Sequence, residues 1–97
     1  MNIKQSISND ELRVKIFKAL ADENRLAIIR HLNQAPKMME YTRLTASFKL
    51  SKSTMSYHLR ILREAGLITM TRHDQHKAVA INREVFDGVL PGFLRTL

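Results

Sequence analysis

Ser53, Ser56, Tyr57 and Arg60 are the residues of this chain whose types and spacing could do chemistry. They fall in SKSTMSYHLRILREAGL, Ser51 to Leu67, and at helical spacing they share one face. Met55, His58, Leu59, Leu62 and Ala65 fall on the opposite face, with Lys52 and Arg63 flanking the polar one. Short hydroxyl side chains let a helix backbone approach another surface closely. A long cation such as Arg60 can bind guanine edges or a phosphate, and a tyrosine can touch a thymine methyl, a base edge or a phosphate. Free backbone amides at the N-terminal end of the helix suit a phosphate as well. This is a face shaped for the groove of a nucleic-acid duplex. An ordinary amphipathic surface helix shows the same two-sided pattern, so the surroundings must decide.

The charge distribution agrees with a polyanionic partner. The net charge is +7. Tyr41 to Arg83 holds eight Lys/Arg against two acids, whereas Met1 to Glu40 holds seven against five and Glu84 to Leu97 one against two. A localised basic surface favours nucleic acid, although a solvated basic face that only aids solubility has the same composition.

The elements that must position this helix are legible in outline. At 97 residues the chain has room for one domain with a modest core, and a partner subunit would add to its stability. A first helix is predicted from about Ser8 to Asp10 through Ala21, with Asn9, Asp10 and Glu11 suited to its start. Its apolar residues Leu12, Val14, Ile16, Phe17, Ala19, Leu20 and Ala21 span an arc about twice the roughly 100° that one core contact needs. The surplus implies a second buried contact, most simply another copy of the chain; a central helix packed on both sides within one monomer is the alternative. Asp22 can cap a second helix, Glu23 to about Gln34. Met38 to Leu50 reads as a short third helix with Leu44 and Phe48 spaced for burial. Ser51 is a good cap for the fourth, and Gly66 sits where a C-terminal glycine ends it.

After Gly66 the period changes from helical to two. Leu67, Ile68 and Met70, the tip His73-Asp74-Gln75-His76, then Val79 and Ile81 read as a β-hairpin with a polar tip. Arg83 to Gly88 has room for a helical turn, and Pro91 limits any long final helix. A short helix, a tight turn and a second helix of this polarity form a helix-turn-helix. The hairpin, offering Arg72, His73, His76 and Lys77, becomes its wing.

Other chemistries find little support. The chain has no cysteine, which excludes disulfides and thiolate metal sites and fits a reducing compartment. The N-terminal segment has no apolar run suited to a signal peptide or membrane span, so a cytoplasmic location is expected. No serine-histidine-acid set, paired carboxylates or glycine-rich phosphate loop is placed for catalysis. His58 lies on the apolar side and reads as a packed residue bonded to backbone; His31 reads as surface or interface. His73, Asp74 and His76 have a metal-like composition, but a hairpin tip does not preorganise ligands. The sites therefore include no metal, no cofactor and no catalytic residue.

The pair FKALADENRLAIIRHL (Phe17 to Leu32) and LSKSTMSYHLRILREAGLI (Leu50 to Ile68) resembles the ArsR/SmtB family of winged-helix repressors. The resemblance covers roughly Leu12 to Asn82. Its specific part is Ser51, Ser53, Thr54, Ser56, His58-Leu59, Leu62 and Ala65-Gly66-Leu67. It implies a homodimer whose recognition helices enter successive major grooves of a pseudo-palindromic operator, with repression by promoter occlusion that a signal relieves. It also implies an interface of first and last helices, here Leu12, Val14, Ile16, Phe17, Leu20, Phe86, Leu90, Phe93 and Leu94. The departures from the family pattern concern metal sensing. Where members often carry a Cys-x-Cys-type site this chain has KMMEYTRL, Lys37 to Leu44, and the thioethers of Met38 and Met39 are poor ligands for the divalent ions concerned. The tail after Asn82 has Asp87 but no histidine, and Pro91 interrupts it.

The reading is a mainly α fold with a β-hairpin wing, in one winged helix-turn-helix domain over 1–97. The helix-turn-helix occupies about 41–65 and the wing about 67–82, with a short C-terminal helical segment. Lys52, Ser53, Ser56, Tyr57 and Arg60 are expected to read bases or phosphates, Arg43, Thr54 and Arg63 to position the DNA backbone, and Arg72, His73, His76 and Lys77 to make the wing contact. The alternatives are a winged-helix module that docks an acidic protein, and a histidine-based sensor of metal or a small ligand.

Overall fold

A computed structural model describes residues 3–35 and 37–97, with side chains described from residue 9. The order is α1 (Ile3–Leu20), α2 (Glu23–Asn33), β1 (Met39–Glu40), α3 (Tyr41–Ala46), α4 (Lys52–Glu64), β2 (Ile68–His73), β3 (His76–Ile81) and α5 (Arg83–Val89), then a 3-10 turn, Phe93–Thr96. The mainly helical fold with a β wing is the one expected from the sequence.

Local signals account for most boundaries. Asp22, with extended backbone, accepts the Arg25 amide at 3.0 Å and starts α2. Ser51 Oγ accepts the Thr54 amide at 3.1 Å and starts α4. Gly66 ends α4 at φ +79°, a left-handed conformation that favours glycine. Its amide bonds Arg63 O at 2.9 Å and the Leu67 amide bonds Leu62 O at 3.0 Å, so two terminal carbonyls are satisfied. Asn82 Oδ1 accepts the Val85 amide and starts α5.

Two expectations are corrected. α1 starts at Ile3, upstream of Asn9 and Asp10. Asp10 is used inside the helix, paired to Arg13 at 3.0 Å, and extending a nucleated helix costs little. Met38 to Leu50 is not one helix: Met39 and Glu40 form β1, and α3 starts only at Tyr41. β1 pairs antiparallel with β3, Met39 opposite Val79 and Glu40 opposite Ala78, giving the sheet order β1-β3-β2. The outer edge of the hairpin has ladder groups to satisfy, and that partner lies about 40 residues away in sequence, beyond any local pattern.

One core joins the elements. Ile16 and Ala19 of α1, Ile28, Ile29 and Leu32 of α2, Leu44 of α3, Met55, Leu59 and Leu62 of α4, Ile68 and Val79 of the sheet and Phe86 of α5 are all buried. Each of the larger of these side chains, from Val to Phe, contributes about 1.5–3 kcal/mol on burial. Docking on this core leaves the opposite face of α4 outward. No helix among the described residues is long and apolar enough to cross a membrane.

Candidate nucleic-acid interface

Ser53, Ser56, Tyr57 and Arg60 are all exposed, with Met55, His58, Leu59 and Leu62 buried beneath them. Tyr57 is 50% exposed, a large side chain left in solvent, and the Arg60 guanidinium carbon lies 5.7 Å from its ring centre. Lys52 is exposed on the first turn of α4. Thr54 is partly buried and accepts from Ser51 Oγ at 2.8 Å, so its hydroxyl is tied into the helix cap.

Between α4 and the wing runs a cleft of about 170 Å³ lined by Tyr41, Ser56, Arg60, Arg63, Met70 and Lys77, with Leu59 at its floor. Three of its lining residues are cations and none is an acid. Lys77 Nζ stands 5.0 Å from the centre of the Tyr41 ring, which props the lysine toward the cleft. Tyr41 is a residue that sequence reasoning passed over. Nothing local marks it, because its role depends on β1 bringing the start of α3 against β3.

In the wing, β2 and β3 join through Asp74 and Gln75, and Asp74 adopts φ +55°, which aspartate tolerates. Arg72 stands opposite Lys77 and His73 opposite His76, and all four are exposed. Like charges directly opposite on a ladder repel, and a polyanion relieves that repulsion. His76 is not wholly free: its Nδ1 lies 3.4 Å from Glu40 Oε1, which also accepts from Thr42 Oγ1 at 2.9 Å. Both partners are more than half exposed, so the pair is weak and a phosphate can compete for the imidazole. Arg43 stands apart from this group. It lines a different hollow, of about 400 Å³, with His31, Gln34, Ala35, Met38, Met39 and Glu40.

The remaining histidines have found partners. His31 packs edge-on against Phe48, ring centres 5.8 Å apart. His58 is buried as expected, but its bond is to a side chain and not to backbone: Arg25 Nη1 lies 3.1 Å from its Nδ1. Asp22 Oδ2 is 3.9 Å from the same nitrogen. The Arg25 amide, above all, holds the Asp22 carboxyl below its ordinary range, with burial opposing it and the charge of Arg25 acting the same way as the amide. Among the described residues no three His, Asp or Glu side chains converge as a metal site would require.

Of the residues expected between subunits, Ile16, Leu20 and Phe86 lie in the core of the chain itself, 0%, 8% and 1% exposed, because α1 and α5 turn those positions into the shared core. Leu12, Val14 and Phe17 are 44%, 49% and 51% exposed. Leu90, Phe93 and Leu94 are partly buried against the core, and Phe93 stacks on Phe86 at 6.2 Å.

Residues 20–71, from the end of α1 into β2, match the family model described as a helix-turn-helix domain. The whole chain is 43% identical to the HTH-type transcriptional regulator YceK of Bacillus subtilis, covering 95% of it. Over 74 residues, 76% of this chain and 70% of the relative, it is 40% identical to the arsenical resistance operon repressor of the same organism. The chain belongs to the ArsR family of helix-turn-helix transcriptional regulators. The fold agrees: HlyU from Vibrio cholerae N16961, whose curated sequence is called a transcriptional activator, superposes with a TM-score of 0.71 at 28% identity, over 92% of this chain and 97% of that one. This ArsR-family protein is therefore a DNA-binding transcriptional regulator and not an enzyme.

Proposed function

We propose that the protein is a homodimeric repressor that occludes its promoter by binding a pseudo-palindromic operator, and that it works without a thiolate metal site. One observation carries the reading: Ser53, Ser56, Tyr57 and Arg60 project together from α4 beside a cleft lined by three cations. In this reading α4 enters the major groove, Lys52, Ser53, Ser56, Tyr57 and Arg60 read bases or phosphates, and Arg63 and Lys77 hold the DNA backbone at the mouth of the cleft. Arg72, His73 and His76 extend that contact along the wing. Thr54 orders the first turn, and Arg43 reaches only the outer DNA backbone. The whole chain acts as one winged helix-turn-helix domain.

Dimerisation is supported by Leu12, Val14 and Phe17, three large apolar side chains exposed on α1. Leu90, Phe93 and Leu94 offer a second apolar contribution near the C-terminus. Two copies place two recognition helices about 34–36 Å apart, one turn of duplex.

The test is selection from a random-sequence duplex library followed by gel shift on the selected site. The wild-type chain is expected to retain an inverted repeat. The Tyr57→Ala, Arg60→Ala double variant should lose at least about tenfold in affinity, at about 1–3 kcal/mol per good base contact. Undiminished binding by that variant overturns the assignment of α4. A reporter that rises when the gene is deleted supports repression, and one that falls assigns activation instead.

A further inference from the structure

His58 is the buried polar side chain of the core among the described residues, 6% exposed on the inner face of α4. Arg25 Nη1 donates to its Nδ1 at 3.1 Å. Arginine has no acceptor, so in the neutral ring Nδ1 carries the lone pair and Nε2 the proton. The same guanidinium donates through Nε to Ala19 O at 2.7 Å and through Nη2 to Lys18 O at 3.3 Å, both carbonyls at the C-terminal end of α1. The Arg25 amide is fixed by Asp22, whose carboxylate faces His58 at 3.9 Å. The Tyr57 ring, centred 5.6 Å from the imidazole, is the other polar neighbour. One side chain thus ties together the end of α1, the first turn of α2 and the inner face of α4.

Apolar packing by Met55 and Leu59 holds α4 down but is non-directional. A planar guanidinium with three acceptors in fixed directions resists rotation of the helix. The joined elements matter because α1 carries the exposed Leu12, Val14 and Phe17, while α4 carries the reading side chains. We propose that Arg25 and His58 are positioning residues that set the angle of the recognition helix relative to α1, and so the half-site spacing that the dimer accepts. The proposal rests on the dimeric, DNA-bound reading above and goes beyond it by assigning operator geometry to a clamp that touches no DNA.

The probes are the inverted repeat selected by the wild-type chain, the same duplex with one base pair added or removed between half-sites, and a single half-site. One base pair alters separation by about 3.4 Å and rotation by about 34°, and the wild-type chain should lose about tenfold or more on either altered duplex. His58→Leu and Arg25→Lys should discriminate by less than about threefold while their binding to the single half-site stays within about twofold, because lysine cannot supply the fork. His58→Asn, whose Oδ1 takes the place of Nδ1, should restore discrimination, and His58→Gln, whose amide reaches toward the Nε2 position, should not. That contrast separates a hydrogen-bond clamp from simple core filling, and it stands alone if His58→Leu does not fold. Equal spacer discrimination by all four variants overturns the clamp while leaving the DNA-binding reading intact. A wild-type chain that selects no duplex overturns that reading and the clamp with it.

Discussion

Removing the Arg63 cation is expected to make DNA binding less salt-dependent by an amount that also counts subunits. Arg63 is exposed in the cleft between α4 and the wing, and among the described residues its side chain makes no hydrogen bond or ion pair. Arg63→Ala should therefore spare the fold, costing at most about 0.3–1 kcal/mol through the cation lost near the end of the helix. Each phosphate neutralised contributes about −0.9 to the slope of log K against log salt. One copy per complex predicts a slope shallower by about 0.9, and two copies by about 1.8. Between 50 and 200 mM salt, a fourfold range, the two-copy change alters the ratio of wild-type to variant affinity by about twelvefold, the one-copy change by about three- to fourfold. Fluorescence anisotropy of a labelled operator across that range measures it, with Arg95→Ala as the control, since Arg95 lines a separate hollow with Asn33, Arg83 and Asp87. A slope unchanged from wild type refutes the placement of a phosphate at Arg63. A change of about 0.9 refutes two equivalent subunits on the duplex.

Leu12→Glu with Phe17→Glu should convert the proposed dimer to a monomer in sedimentation equilibrium while the far-ultraviolet spectrum is retained, because both side chains are exposed on α1 and contribute little to the core. Asp22→Asn should lower stability at neutral pH and flatten its acid dependence. The Asp22 carboxyl is held below its ordinary range in the folded chain, so its stabilisation is present above the unfolded carboxylate pKa and is lost as pH falls through the folded one; urea titrations at several pH values measure this. Leu59→Ala should cost about 2–5 kcal/mol in chemical denaturation by opening a cavity under α4, where the side chain is 2% exposed.

The α4 helix was legible in sequence because each of its signals is local. Ser51 supplies an oxygen to the first turn, Gly66 tolerates φ +79°, and the apolar period between them separates inner from outer face whatever the helix docks against. The hairpin was legible for the same reason: a two-residue alternation interrupted by Asp74 and Gln75. The apolar width of α1 was equally plain, but not its division, since only the docked positions of α2 and α4 decide that Ile16 and Leu20 face inward while Leu12, Val14 and Phe17 remain outside.

By itself, then, the sequence determined the succession of helices, the caps that bound them, the polar face of α4 and the basic character of the region around it. Tertiary structure alone decided that Met39 and Glu40 form a strand, that Tyr41 supports Lys77, that Arg43 faces a different hollow, and that His58 bonds to Arg25. Each of these joins residues far apart in the chain, 33 positions for Arg25 and His58. Periodicity and capping act over a few residues, whereas a hydrogen bond or cation–π contact between distant segments exists only once the core has brought them together.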